Sequence, residues 1–142
     1  MSGKFDHTSA NRLNVCDPRL IDILKEVIKV YDFRVMCGYR DKDAQNEAVK
    51  NGTSKLQWPN SPHNSMPSMA VDILPNCLID PETNKIDWDN PQPFIELAEL
   101  VFAEADKQGV HIRWGGDWLM DGSKTKKDDW DKPHFEVMEK KV

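Results

Sequence analysis

Residues 61–74 read SPHNSMPSMAVDIL, and the expected fold and chemistry of the chain both depend on this segment. Its first half is a loop rich in proline and serine that contains His63. Its second half is the short apolar run Met69–Leu74, whose length and β-branched residues predict a buried strand. Asp72 lies inside that run. Because a lone carboxylate is costly to remove from water, the sequence predicts a partner that compensates its charge.

A second segment, residues 131–137 (DKPHFEV), has a related arrangement near the other end of the chain. It places His134 at the edge of a short predicted strand, with Asp131 three residues before it. Together His63, Asp72 and His134 could form a three-ligand zinc site with a fourth position open for water. Asp131 would be the natural base beside that water. Each histidine alone is more often structural, but in a chain with only four histidines the combination favours the metal site.

Length and composition describe a globular protein of one domain. The chain has 142 residues, 39% hydrophobic and 30% charged, unlike disordered or membrane proteins. Its net charge of −5 argues against nucleic-acid binding, which usually requires a basic face. Three cysteines without a CxxC pair predict reduced thiols. The chain length predicts one domain over residues 1–142, which we expect to be a monomer without nucleic-acid partners. No signal peptide or membrane span is visible, so we expect no membrane partner.

The hydrophobic pattern predicts a small α+β fold with about three helices. Asp17-Pro18 is a typical helix start, and apolar residues at spacings of three and four continue that helix to about residue 30. The longest helix begins at Asn90-Pro91 and ends at Gly109. The other predicted elements are strands at residues 33–37, 69–74, 110–114 and 130–137, a helix at 43–50, and a long loop from Thr53 to Ser68.

Three further features carry weaker signals. Arg40 follows the first predicted strand, where its guanidinium could point into a cleft, although such an arginine is more often solvated. His7 lies in a polar N-terminal segment and His111 in an alternating strand, so neither is expected to bind the metal. The charged loop Asp121–Asp129 could bind a cation such as Ca²⁺, or it could simply be solvated.

Several motifs between about Gly38 and Val137 occur in the order typical of one enzyme family. They are Tyr39-Arg40 with Gln45 downstream, Asn51-Gly52-Thr53-Ser54, Ser61-x-His63 followed by Ala70-Val71-Asp72-Ile73, Trp114-Gly115-Gly116-Asp117-Trp118, and Asp131-x-x-His134-Phe135-Glu136. In these motifs the chain resembles the M15 zinc peptidases, specifically the phage-type L-alanyl-D-glutamate endopeptidases, which are endolysins.

The resemblance implies a role for each candidate residue. His63, Asp72 and His134 would bind Zn²⁺, and Asp131 would act as general base. Arg40 would help to hold the substrate and its polarised carbonyl. The implied fold is α+β, with the zinc site on a central antiparallel sheet. The implied reaction is hydrolysis of the bond between L-alanine and D-glutamate in the stem peptides of bacterial peptidoglycan, which lyses the host cell.

The chain departs from the family pattern in one loop. The spacing between His63 and Asp72 is two residues longer than usual, and Ser68 stands where the pattern has glycine. An insertion within a loop can leave both ligands in place. The absence of an export signal fits an endolysin that accumulates in the host cytoplasm and reaches the periplasmic wall through a holin. No separate cell-wall-binding module is expected.

Three alternatives remain open at this point. Two histidines and one carboxylate also form the facial triad of non-haem Fe(II) oxygenases, but those enzymes need more strands than this chain offers. A D-alanyl-D-alanine carboxypeptidase or dipeptidase of the same family would usually have Glu in place of Asp131. A non-catalytic, zinc-stabilised peptidoglycan-binding domain would not need Asp131 at all.

Overall fold

The computed structural model describes residues 4–116 and 131–138, and this part of the chain contains four α-helices and four strands. The predicted α+β class is confirmed. The helices are α1 (His7–Leu13), α2 (Pro18–Val27), α3 (Lys42–Lys50) and α4 (Gln92–Gln108), and the strands are β1 (Phe33–Cys37), β2 (Ala70–Pro75), β3 (Ile112–Trp114) and β4 (His134–Val137).

The four strands form one sheet in the order β1-β2-β4-β3, and every neighbouring pair is antiparallel. In the register of β2 and β4, Asp72 lies directly opposite His134. In the register of β1 and β2, Cys37 lies opposite the same Asp72. Since directly opposite residues project from the same face of a sheet, these three side chains form a row across it.

The sheet has one apolar face and one polar face. Val71 and Ile73 of β2 and Phe135 of β4 lie on the apolar face, which α2 and α4 cover. The side chains that alternate with them, including Asp72 and His134, lie on the other side, which we call the polar face. The helical side of the core consists of Leu20, Ile23, Leu24, Val27, Phe94, Leu97, Ala98, Val101 and Ala105.

The caps explain where the two core helices begin and end. Asp17 caps α2, with its Oδ1 atom accepting a hydrogen bond from the Arg19 backbone at 2.9 Å, and Pro18 occupies the first turn. That helix ends at Val27, a turn earlier than the predicted residue 30. Helix α4 ends at Gln108 and is capped by Gly109, whose φ of 72° places it in the left-handed region.

Helix α1 was not predicted, because residues 7–13 form a mostly polar sequence. Its stability comes from contacts with β1, the edge strand. Ser9 Oγ accepts a hydrogen bond from the Val35 backbone at 2.9 Å, and Arg12 Nη1 donates to the Val35 carbonyl at 3.1 Å. The helix thus satisfies backbone groups at a sheet edge that would otherwise be open to another chain. The structure therefore has four helices where about three were expected.

Some expectations concern residues that lie outside the described ranges. The second half of the Trp114–Trp118 motif and the charged loop Asp121–Asp129 are among them. Within residues 4–116 and 131–138, no helix combines the length and the apolar character that crossing a bilayer demands.

Candidate active site

Asp72 is the centre of a cluster of polar side chains on the polar face. Its Oδ1 atom is 3.3 Å from Nε2 of His63 and 3.2 Å from Nδ1 of His134. Its Oδ2 atom is 3.5 Å from Nη2 of Arg40. Burial alone would raise the pKa of this carboxyl, but the two imidazoles hold the pKa well below its usual value. The half-buried carboxylate thus has partners that can compensate its charge, namely Arg40 and the two imidazoles when these are protonated.

His63 reaches Asp72 from a 3₁₀ turn, Pro62–Asn64, in the long loop before β2. The Ser61 side chain caps this turn by accepting a hydrogen bond from the His63 backbone at 3.2 Å. The imidazole is 2% exposed, and its Nδ1 lies 2.7 Å from the Gly38 carbonyl. Because a carbonyl can only accept, Nδ1 carries the hydrogen. In the neutral ring Nε2 therefore presents a lone pair, and this buried atom has no hydrogen-bond partner among the described residues.

His134 is held in the opposite sense. Its Nδ1 faces Asp72, and its Nε2 lies 2.7 Å from Oε1 of Glu136. An ionised carboxylate can only accept, so Nε2 carries the hydrogen and the neutral ring has its lone pair on Nδ1. The rings of His63 and His134 are 5.1 Å apart and nearly perpendicular. Each imidazole therefore turns toward Asp72 the nitrogen that is not held from the other side of the ring, and this nitrogen can bind a metal ion through its lone pair when the ring is neutral.

Asp131 lies beside this cluster. Its Oδ2 atom is 3.8 Å from Nδ1 of His134. Its backbone nitrogen donates to the Gly115 carbonyl at 3.1 Å, and a Cβ added to Gly115 would lie 2.0 Å from the Asp131 carbonyl oxygen, so this close approach requires glycine. Burial, and next the charge of Asp72, raise the pKa of Asp131 to about 6. A carboxylate with that pKa accepts a proton more readily than an exposed aspartate.

Arg40 is oriented by a buried amide. Its Nη1 donates to Oε1 of Gln45 at 3.0 Å, and Nδ2 of Asn64 donates to the same oxygen at 3.0 Å. The Gln45 amide nitrogen donates to the Ser54 hydroxyl at 2.9 Å and to the Leu56 carbonyl. Gln45 is fully buried in α3, so the helix, the long loop and the guanidinium beside Asp72 are joined through one side chain.

The donor atoms fit a divalent cation. Two groups of three potential ligands share Asp72, and within each group the ligand atoms lie within 4.8 Å of one another. The groups are Cys37, His63 and Asp72, and Asp72, Asp131 and His134, so the predicted ligands His63 and His134 fall in different groups that share Asp72. A tetrahedral zinc with bonds of ~2.0–2.2 Å keeps its ligand atoms about 3.3–3.6 Å apart. The 3.3 and 3.2 Å separations from Asp72 Oδ1 to the two imidazole nitrogens are close to that spacing.

A comparison with protein families decides the identity. Residues 1–138 match the family described as Phage L-alanyl-D-glutamate peptidase. The chain belongs to this family. It is therefore a peptidase, and the membership expected from the motifs is confirmed. Since the L-alanyl-D-glutamate bond belongs to peptidoglycan stem peptides, the substrate class is peptidoglycan.

A solved structure has the same fold as this phage-type peptidase. It is the Serratia marcescens L-Ala D-Glu endopeptidase ChiX, which is 24% identical in sequence and superposes with a TM-score of 0.69. The similarity covers 96% of this chain and 91% of that chain. No curated protein sequence matches the chain.

The peptidase has two residues near Asp72 that the sequence did not single out. Cys37 Sγ lies 3.5 Å from Nε of Arg40 and 3.9 Å from Nδ1 of His63. Simple alternation places Cys37 on the apolar face with Val35, but a register shift between these two residues turns it to the polar face. Glu136 follows His134 by two residues on β4, and this spacing on a strand is the signal that places it on the same face.

The remaining histidines lie elsewhere. His7 is exposed on α1, where its ring contacts Asn11, and His111 is exposed just before β3. Neither belongs to a group of potential metal ligands in the part of the chain that the structure describes.

Proposed function

We propose that this peptidase is a zinc-dependent endolysin, which hydrolyses the L-alanyl-D-glutamate bond of the stem peptide and thereby lyses the host cell. One observation carries the zinc assignment: an oxygen of a half-buried carboxylate lies 3.3 and 3.2 Å from two imidazole nitrogens that belong to separate parts of the chain. The family match supports the bond specificity.

His63, Asp72 and His134 would hold the zinc through Nε2, a carboxylate oxygen and Nδ1. The buried Nε2 atom of His63 has no hydrogen-bond partner in the part of the chain that the structure describes, which supports this assignment because such an atom normally has a partner. The bound ion would polarise the scissile carbonyl and lower the pKa of a water molecule toward ~7. Three protein ligands are also the number that catalytic zinc sites use, since they leave a position open.

Asp131 would act as general base. It would take a proton from the attacking water and transfer that proton to the amine of the departing D-glutamyl peptide. Its place beside His134 and its partial burial support this role. Cleavage would leave L-alanine attached to the glycan strand and would expose a new amino terminus on D-glutamate.

Arg40 would bind and orient the substrate. Gln45 fixes one edge of its guanidinium, and Asp72 faces another. Donors on such a pre-oriented guanidinium can hold a carbonyl or carboxylate oxygen of the stem peptide close to the reacting bond. The buried Gln45 lowers the entropy lost when Arg40 engages the substrate, because the side chain is already ordered.

The biological setting follows from the endolysin role. We propose that residues 1–142 act as one peptidase domain and as a monomer, without nucleic-acid or membrane partners. The protein would be synthesised in the host cytoplasm and would reach the periplasmic wall after holin-dependent release. The family match over residues 1–138 supports a single functional unit.

Digestion of purified cell walls tests the reaction. Gram-negative walls stripped of outer membrane are incubated with the protein, with and without a chelator, and the muropeptides are identified by mass spectrometry. We expect glycan-linked L-alanine and peptides beginning with D-glutamate, and we expect chelator to abolish both. Release of terminal D-alanine would instead indicate a carboxypeptidase, and an absence of any cleavage would favour a binding domain.

Asp131→Ala tests the general base in the same assay. We expect at least about a hundredfold loss of cleavage with bound zinc retained, because general-base catalysis contributes about 10²–10⁴-fold. Asp106→Ala is the matched control, since Asp106 is an exposed aspartate on α4. Cleavage by Asp131→Ala at the rate of this control would show that another group takes the proton.

A further inference from the structure

Glu136 makes a short contact with a side chain of the cluster around Asp72. Its Oε1 atom lies 2.7 Å from Nε2 of His134, whose side chain is only 6% exposed. Both residues belong to β4 and are two positions apart, so their side chains project from the same face. Opposite Glu136 lie Ala70 on β2, which is too small to reach across the polar face, and Arg113 on β3.

The contact involves the nitrogen of His134 that points away from the candidate metal. Nδ1 of this ring faces Asp72 at 3.2 Å and Asp131 at 3.8 Å, whereas Nε2 lies 2.7 Å from Oε1 of Glu136. In metal sites the second imidazole nitrogen commonly donates to a carboxylate, which fixes both the tautomer and the ring orientation.

We propose that Glu136 is a positioning residue for metal binding by His134. Its carboxylate accepts a hydrogen bond from Nε2–H, which leaves Nδ1 as the nitrogen available to the metal ion and holds the ring so that Nδ1 faces the space beside Asp72. The proposal rests on the proposed zinc-dependent function, and it adds a residue to which no role has been given so far.

His63 provides an internal comparison. Its outer nitrogen, Nδ1, donates to the Gly38 carbonyl at 2.7 Å, which is a neutral acceptor supplied by the backbone. His134 uses a charged side chain for the same purpose. A carboxylate acceptor also increases the electron density of the ring and so strengthens it as a ligand. The two histidines are therefore oriented by different kinds of acceptor. A substitution can remove the Glu136 carboxylate that holds His134, but it cannot remove the Gly38 backbone carbonyl that holds His63.

The variants Glu136→Ala and Glu136→Gln test the proposal, with Glu99→Ala as the matched control. Glu99 is an exposed glutamate on α4, which covers the opposite face of the sheet. Zinc affinity is measured by competition with a chromophoric chelator, and the stability of each metal-free protein by thermal unfolding. We expect Glu136→Ala to bind zinc about 10–100-fold more weakly, because loss of such an outer hydrogen bond typically has an effect of this size.

Glu136→Gln separates positioning from folding. Its side-chain carbonyl can still accept from Nε2–H, so we expect an affinity between those of the wild type and Glu136→Ala, with the unfolding temperature of the metal-free protein close to wild type. Glu99→Ala should match the wild type in both measurements. A uniform loss of stability without a selective loss of zinc affinity would show that Glu136 has only a structural role.

Long-range ¹H–¹⁵N NMR of the zinc-loaded wild type gives a reading that does not depend on any variant. We expect the His134 ring to carry zinc on Nδ1 and a slowly exchanging proton on Nε2. Zinc on Nε2, or full zinc affinity in a folded Glu136→Ala protein, would overturn the proposal. If the wild type cleaves stem peptides and binds zinc but the Glu136 variants behave like Glu99→Ala, only this inference fails; if the wild type binds no zinc, the proposed function fails.

Discussion

In this protein the imidazoles of His63 and His134 face the carboxylate of Asp72. Each ring is held by a hydrogen bond to its other nitrogen, which points away from Asp72. His63 is held by the Gly38 carbonyl and His134 by Glu136. Asp72, a half-buried residue of β2, lies 3.3 and 3.2 Å from a nitrogen of each ring. At the residue scale, the chemistry therefore depends on the hydrogen-bond acceptors that orient the candidate ligands as much as on the ligands themselves.

Gln45 is the clearest example of such support. Its side chain is fully buried and contacts Arg40, Asn64, Ser54 and Leu56. Gln45→Leu keeps the approximate volume but leaves several of these groups without partners. We expect the free energy of unfolding to fall by about 2–4 kcal/mol, measured in urea, since each unsatisfied buried group costs about 1–3 kcal/mol.

The same variant should also reduce catalysis. Arg40 loses the acceptor that orients its guanidinium, so we expect kcat/KM on purified walls to fall about 10–100-fold in the fraction that remains folded. Gln92→Leu is the control, because Gln92 is exposed at the start of α4. Equal activity and equal stability in the two variants would contradict the role of Gln45.

At the scale of elements, β1 is positioned by a helix that packs across its edge and by a glycine at its end. Gly38 follows β1, and a Cβ at this position would lie 2.4 Å from the Arg12 carbonyl oxygen and 3.0 Å from Cys16 Sγ. Backbone cannot move away as a flexible side chain can. Position 38 therefore requires a residue without a side chain. Only then can helix α1 pack against the turn whose carbonyl contacts His63.

Gly38→Ala should consequently affect both folding and the metal centre. We expect a destabilisation of about 1–3 kcal/mol from overpacking, together with weaker zinc binding, because the carbonyl that orients His63 is displaced. Urea unfolding of the metal-free protein and a zinc competition assay measure the two effects.

Gly109→Ala separates these effects. Gly109 has a φ of 72°, and a Cβ there would meet nothing within 4 Å, so only backbone strain of about 1–2 kcal/mol is added. This variant should be less stable but should bind zinc with unchanged affinity. If Gly38→Ala also keeps full zinc affinity, the Gly38 carbonyl does not orient His63.

The cap of α2 predicts a pH dependence of stability. Asp17 is buried, and hydrogen bonds from Arg19 keep its pKa below the usual value in spite of burial. A pKa depressed by folding stabilises the protein above the unfolded value of about 3.9 and loses that contribution as the pH falls through the folded value. We expect Asp17→Asn to be about 0.5–1 kcal/mol less stable than wild type at pH 7, in urea unfolding, since asparagine keeps the cap but loses the charge.

The difference between wild type and Asp17→Asn should then shrink between pH 5 and pH 2, because the wild-type carboxyl becomes neutral there. A difference that stays constant over this range would mean that the Arg19 ion pair contributes nothing to stability.

At the scale of the whole molecule, the local patterns predicted most of the fold but not how the pieces meet. The apolar run around Asp72 predicted β2, and the caps at Asp17 and Gly109 predicted helix ends. Helix α1 was missed because its stability comes from hydrogen bonds to β1, which no local pattern contains. Cys37 was missed because a register shift reverses its face, and such shifts are set by the partner strand.

The ligand set required a further kind of information. The sequence spacing of His63, Asp72 and His134 does not predict that they converge. The antiparallel register of β2 and β4 places Asp72 beside His134, and the long loop before β2 places His63 beside both. The role of Glu136 could have been inferred from its two-residue spacing once β4 was predicted as a strand.

Removal of metal should destabilise the whole molecule. A ligand that binds only the folded state at 1,000 times its Kd adds about 4 kcal/mol of stability. We expect a chelator to lower the Tm of the zinc-loaded protein by on the order of 10 °C, measured by calorimetry. Asp72→Asn should show no chelator-dependent shift, and a shift of wild-type size in that variant would place the metal elsewhere.

Anomalous X-ray diffraction at the zinc edge, on crystals of the zinc-loaded wild type, tests the metal centre most directly. We predict one strong peak ~2.0–2.2 Å from Nε2 of His63, a carboxylate oxygen of Asp72 and Nδ1 of His134. A peak bonded to Cys37 Sγ in place of His134, or no peak near Asp72, would contradict the zinc site proposed for this peptidase.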